Sequence, residues 1–131
     1  MLKKHEGFRK LSLLSASAAR GAAFLSVGSD TVTGGTADDI VIGEQTNYDN
    51  NAQALLAILA EWQSSDDYTT RIGKIRGTSA GGLNGSYFFN STTVKDDGMA
   101  DTLTGGAGMD WFWANQPQDT ITDLQTGEIV N

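Results

Sequence analysis

The apolar positions of this chain follow two rhythms. In the first, an acidic residue is followed two places later by an apolar one, at a nine-residue step. Asp30, Asp39, Asp101, Asp110, Asp119 and Glu128 precede Val32, Val41, Leu103, Phe112, Ile121 and Val130. Strand side chains alternate between faces, so in each rung the apolar residue points inward and its two neighbours point outward. The second rhythm is helical. Asn51 to Gln63 places Leu55, Leu56, Ile58, Leu59 and Trp62 at helical spacing. Asp49 or Asn50 is the expected cap. A shorter helix is predicted over Asp67 to Arg76, with Tyr68, Ile72 and Ile75 on one face and Asp66–Asp67 at its start. Tyr87–Phe89 and Thr92–Val94 predict a β-hairpin across Asn90–Ser91.

The nine-residue segments resolve into a turn and a strand. Residues 105–113 read Gly-Gly-Ala-Gly-Met-Asp-Trp-Phe-Trp, with Gly105, Gly106 and Gly108 at positions 1, 2 and 4 and Asp110 at position 6. Glycine permits backbone angles that let carbonyl oxygens face inward, and the aspartate adds a carboxylate. Hard oxygen ligands in a flexible loop suit Ca²⁺. The other copies depart from this pattern. Residues 34–42 keep Gly34, Gly35 and Asp39 but carry Ala37 at position 4, and residues 25–33 keep Gly28 and Asp30. Residues 96–104 hold Met99 at position 4, residues 114–122 contain Pro117 and no glycine, and residues 123–131 put Glu128 at position 6.

On these residues the chain resembles the RTX, or haemolysin-type calcium-binding, repeat family over residues 25–42 and 96–131. The resemblance implies a mainly β fold: a short parallel β-roll, two nonapeptides per turn, with an inserted helical segment and β-hairpin at 43–95. It implies several Ca²⁺ ions held around Gly28, Asp30, Gly34, Gly35, Ala37, Asp39, Asp101, Gly105, Gly106, Gly108, Asp110, Asp119 and Glu128. It also implies a secreted bacterial module that folds on calcium outside the cell and stabilises an attached protein or aids its export.

Stacking of alternate rungs pairs Asp39 with Asp110 and Asp101 with Asp119. It places Thr31, Thr33, Thr102, Thr104, Thr120 and Thr122 outward on one face, and Ile40, Ile42, Trp111 and Trp113 outward on the other. An exposed Ile/Trp sheet is a large apolar patch, so the helix at 51–63 is expected to cover it. The alternative for the tryptophans is stacking on a sugar ring. The threonine array resembles the ice-binding face of some antifreeze proteins, a lesser alternative set against the ordinary preference of threonine for strands.

Composition narrows the field. Among 131 residues there is no cysteine, so neither a disulfide nor a thiolate metal site is available. One histidine, His5, argues against a histidine zinc site. The net charge of −7 conceals five basic residues and one acid in residues 1–20, which leaves four basic and fifteen acidic residues beyond. That acidity opposes compaction without cations and argues against nucleic acid as a partner. About three to five Ca²⁺ would neutralise much of it. No stretch is apolar enough to span a bilayer.

Residues 1–24 are read as an N-terminal tail or cap to the domain at 25–131. Lys3, Lys4, Arg9 and Lys10, then Leu-Ser-Leu-Leu and Ala16-Ser17-Ala18, trace a faint secretory signal. An array beginning further upstream is the alternative. Asp38, Asp96, Asp97 and Asp123 fit the register less well and are read as turn-forming or solvated acids as readily as ligands. Arg71, Lys74 and Arg76 read as a solvated helix face rather than an anion site. No Ser/His/Asp or Cys/His pattern is present, so catalytic residues are unknown. The second function is a small metal-dependent hydrolase of phosphoesters or esters, centred on an incompletely ligated ion or using Glu44 or Glu61. A homodimer through the strand ends or the Ile/Trp face is the open question of partners.

Overall fold

The computed structural model describes residues 2–4, 10–13, 21–26 and 29–131. The expectations for Gly28 and for the small-residue pattern at Ala16–Ala18 fall outside them. Three N-terminal strands, β1 (Leu2–Lys4), β2 (Lys10–Leu13) and β3 (Gly21–Ser26), pair antiparallel in sequence. Next come β4 (Thr31–Gly35), β5 (Asp39–Ile42) and β6 (Gln45–Thr46). Helices α1 (Ala52–Trp62) and α2 (Tyr68–Arg76) follow, and then β7 (Val94–Lys95), β8 (Thr102–Gly106), β9 (Trp111–Trp113), β10 (Thr120–Ile121) and β11 (Ile129–Val130).

This corrects the expected fold class. The chain is not a mainly β parallel roll but a mixed α and β arrangement of short strands in small sheets, with two helices in its core. Strands run from two to six residues, and the helices have 11 and nine. The physical reason is that each nine-residue step dictates only a brief pairing. Parallel register holds for four Cα partners between β4 and β8, three between β5 and β9, and two each for β8–β10 and β9–β11. The largest sheet is mixed, in the order β1-β2-β3-β5-β9-β11, because antiparallel strands add beside the β3–β5 parallel pair.

The predicted hairpin is also absent. Phe89 N donates to Ile75 O, and the Asn90 and Thr93 side chains take up local backbone groups. Thr92 N donates to Asn90 Oδ1, and Thr93 Oγ1 donates to Phe88 O. These bonds compete with a cross-strand ladder. β7 pairs antiparallel with β6 instead, closing the mouth of the insertion.

The helices follow their apolar periodicity, but the first cap lies one residue later than expected. Asn51 Oδ1 accepts from Ala54 N. Asp67 caps α2 by accepting from Thr70 N, and Gly77, at φ 83°, ends it in the left-handed conformation.

Two cores result. Val32, Val41, Leu103, Phe112 and Ala114 fill the space between the three-stranded and the larger sheet. Ile40, Ile42, Trp111 and Trp113 pack on the other side against Leu55, Ile58, Trp62, Ile72, Ile75 and Phe89. The tryptophans are therefore floor under helices, not a surface for sugar. The Ile/Trp face is occupied within the chain itself. On the opposite face Thr31, Thr33, Thr120 and Thr122 are exposed, and the Thr104 and Thr122 hydroxyls hydrogen-bond at 2.7 Å.

The helical layer is fastened by polar contacts. Trp62 Nε1 donates to Asp38 O at 2.9 Å. Arg71 lies over the Trp62 ring, 4.4 Å from its centroid, and pairs with Asp38 at 2.6 Å. Arg71 is buried, so it is not part of a solvated face. Lys74 is likewise engaged, with Asp66 at 2.5 Å. Trp62→Ala is expected to cost about 3–5 kcal/mol in urea denaturation, because it opens a cavity and removes the platform under Arg71. A loss below about 1 kcal/mol would show that the helices do not depend on this packing.

Candidate metal centre

The position-6 acids are stacked on one another by a repeated bond. Asp30 N donates to Asp101 Oδ1 at 2.7 Å, and Asp101 N to Asp119 Oδ1 at 2.9 Å. On the other edge, Asp39 N donates to Asp110 Oδ1 at 2.8 Å and Asp110 N to Glu128 Oε1 at 3.0 Å. The structure thus brings Asp39 together with Asp110 across 71 residues, and Asp101 with both Asp30 and Asp119.

The second carboxylate oxygen has a different fate in different rungs. In residues 34–42, Gly35 N donates to Asp39 Oδ2 at 2.5 Å. In residues 114–122, Asn115 N donates to Asp119 Oδ2 at 2.8 Å. The rung's own position-2 amide therefore serves its own position-6 acid. In residues 96–104 and 105–113 an outside acid takes that amide. Gly106 N donates to Asp123 Oδ2 at 2.8 Å, and Asp97 N donates to Glu44 Oε2 at 3.2 Å. Asp110 and Asp101 are then 0% and 2% exposed, and their Oδ2 atoms have no hydrogen-bond partner among the described residues.

Glycines shape the space around these oxygens. A Cβ on Gly105 would fall inside contact distance of Asp110 Oδ2, and one on Gly43 would lie 2.8 Å from Asp101 Oδ2. Gly108, at φ 110°, lets its turn pass close to the backbone of Ala37 and Asp38. A Cβ on Gly34 would likewise lie 2.8 Å from Asp39 Oδ2. Ala37 itself contributes backbone beside Gly108; its side chain adds no donor oxygen.

Burial pushes the Asp110 carboxyl up to about 7, and the charges of Asp39, Glu128 and Asp123 add to the rise against the Asp39 amide bond. Asp101 is raised to about 7, first by burial and then by Asp97, Asp119 and Asp30. Glu44 is also raised to about 7, by burial, by Asp119 and by Asp96. Buried carboxylates with free lone pairs and like-charged neighbours are the donor set that a hard divalent cation satisfies.

Several participants were left open by the sequence between turn-forming or solvated acids and ligands. Asp123 accepts from both Gly105 N and Gly106 N, and Asp38 accepts from Met109 N while pairing with Arg71. Glu44, Asp96 and Asp97 offer ligand oxygens within 4.8 Å of one another. The only sequence signal for them was local acidity. Glu61 is buried and accepts from Leu83 N at 2.8 Å, a structural role. A cavity of about 430 Å³ beside α2 is lined by Lys74, Gly77–Gly82, Asn84, Gly85 and Phe88, without a carboxylate. No helix among the described residues is long and apolar enough to cross a membrane. Comparison with protein-family models, curated proteins and solved structures finds no match to the chain.

The raised carboxyls set a pH dependence for the ion-free protein. A folded-state value above the unfolded one, near 3.9 for Asp, favours the protonated fold. That contribution is complete at low pH and is lost as pH rises through about 7. In chelator, the melting temperature is expected to fall between pH 5.5 and pH 8. Asp66 and Asp67, whose carboxyls are lowered by Lys74 and by the Thr70 amide, act in the opposite sense only at more acidic pH. A melting temperature that rises over this interval would contradict the buried, partnerless state of Asp101 and Asp110.

Proposed function

We propose that this chain is a calcium-binding module that completes its folding on ion binding, and that it works outside the cell by stabilising an attached protein or aiding its export. One observation carries the reading: the Asp110 Oδ2 atom, wholly buried, without a partner, in the one segment that keeps every position of the glycine-rich nonapeptide. Asp39, Asp123 and Glu128 surround it with negative charge. A Ca²⁺ ion takes six to eight oxygens, from carboxylates, backbone carbonyls and water, and tolerates irregular geometry. Without a cation the acidic edge opposes compaction; with one, the same acids become a staple in a chain that has no cysteine. The extracellular setting and the role toward an attached protein rest on the resemblance to haemolysin-type repeats.

Calcium titration of the full chain tests this. At 100 times the dissociation constant, one site that exists only in the folded state adds about 2.7 kcal/mol. A calcium-dependent rise in melting temperature, reversed by EGTA, is expected. Asp110→Asn removes a buried charge, so it is expected to leave the ion-free protein no less stable while gaining less from calcium than the unaltered chain. If that variant gains as much from calcium as the unaltered chain, Asp110 is not a ligand.

A further inference from the structure

We propose a second divalent-cation site, built by Glu44, Asp96 and Asp97 with the Oδ2 atom of Asp101, that clasps the two ends of the helical insertion. It rests on the calcium reading only for the choice of ion; none of its residues belongs to the Asp110 edge. The topology creates it. Glu44 stands where the chain leaves β5, and Asp96 and Asp97 stand where it returns from β7. The antiparallel pair β6–β7 holds the departing and returning segments side by side, with Gln45 opposite Lys95. Residues far apart in the chain thus deliver three acids to one place, with oxygens within 4.8 Å of one another.

Acids gathered in this way are common without an ion, but Asp101 adds an independent reason. Its side chain is 2% exposed, and Oδ2 has no hydrogen-bond partner among the described residues. That oxygen lies over Gly43, next to Glu44 in the chain, where any Cβ would displace it. Among its charged neighbours, Asp97 acts most strongly on the Asp101 carboxyl.

The donor set is all oxygen, which selects a hard cation, and its ligands come from irregular backbone, which suits the looser demands of Ca²⁺ better than the strict octahedron of Mg²⁺. Glu44 is buried, Asp97 half-buried and Asp96 exposed, so water can complete the coordination from the Asp96 side. Asn115 Nδ2 donates to Asp96 Oδ2 at 2.7 Å and orients that carboxylate. The effect of filling the site is mechanical: the ion ties the exit and the re-entry of the insertion to the Asp101 rung, and so fixes α1 and α2 over the sheet.

Calcium stoichiometry by native mass spectrometry and affinity by calorimetry, on the full chain, test this. The unaltered protein is compared with Glu44→Gln/Asp97→Asn and with Asp110→Asn. The double variant is expected to bind one ion fewer, and Asp110→Asn to lose a different one, so that combining all three substitutions removes both. Calcium should protect the 43–50 and 90–97 segments from proteolysis in the unaltered chain and in Asp110→Asn, but not in the double variant. Full stoichiometry in the double variant overturns this site and leaves the Asp110 reading standing. Loss in the double variant with no loss in Asp110→Asn does the reverse. No binding to the unaltered chain sinks both. If circular dichroism shows the double variant unfolded, Glu44→Gln alone decides, since glutamine still accepts from Asp97 N. At least about tenfold weaker binding of one ion is then expected, and unchanged affinity overturns the proposal.

Discussion

The bond from each position-6 carboxylate to the amide of the same position in the neighbouring rung is the constraint on which the rest of the structure depends. Among the described residues it recurs four times, from Asp30 to Asp101, Asp101 to Asp119, Asp39 to Asp110 and Asp110 to Glu128. Charge-assisted bonds to backbone amides are strong and directional, so a slip of one residue would break all four at once. The register that they fix puts Val41 over Phe112 and Val32 over Leu103 inside, and Ile40 beside Trp111 outside. It also leaves each carboxylate with a second oxygen whose surroundings differ from rung to rung. Asp39 and Asp119 spend theirs on their own turn's amide, while Asp101 and Asp110 lose that donor to Glu44 and Asp123. A buried acceptor left unmade costs about 1–3 kcal/mol, and more when charged. The Asp101 and Asp110 rungs, each with an added acid nearby, are thus ones in which a proton or a cation relieves strain on the fold.

The nine-residue acid spacing was enough to pair Asp39 with Asp110 through an intervening insertion, because both the acids and the apolar residues two places on obey it. The helices were legible for a similar reason: Leu55, Ile58 and Trp62 declare a face. Fold class was less so. The repeat occupies under half of the chain and dictates only a few paired residues per rung, so weighting it heavily overstated the β content and the continuity of a roll. The Tyr87–Val94 hairpin failed because β-forming residues were read without the Asn90 and Thr93 side chains, which satisfy the backbone locally. Asp96, Asp97 and Asp123 were legible only as acids that fit the register less well, ligands as readily as turn-formers, and Glu44 only as a candidate for metal-centred chemistry. Their roles depend on which amide each one reaches in a neighbouring turn, and no one-dimensional spacing records that.

The helical layer and the acidic edges are physically joined. The Tyr68 hydroxyl, at the start of α2, donates to Asp110 O at 2.6 Å and accepts from Ile129 N at 2.9 Å. Burial pushes that hydroxyl up to about 12, so it remains a donor throughout the working pH range. Asp38 makes a second link: it accepts from Met109 N in the turn before Asp110, and it holds Arg71 against Trp62. Both connections run through residues adjacent to Asp39 or Asp110. A cation that fixes the backbone around Asp110 therefore also fixes the acceptors on which α2 depends. The same acidity that opposes compaction at the edge becomes, when neutralised, an anchor for a helical layer that Arg71 ties to Asp38 and Arg76 ties to Trp111 and Asn131. Electrostatics at the turns and apolar packing under the helices are consequently not separable contributions here: each sets the geometry that the other requires.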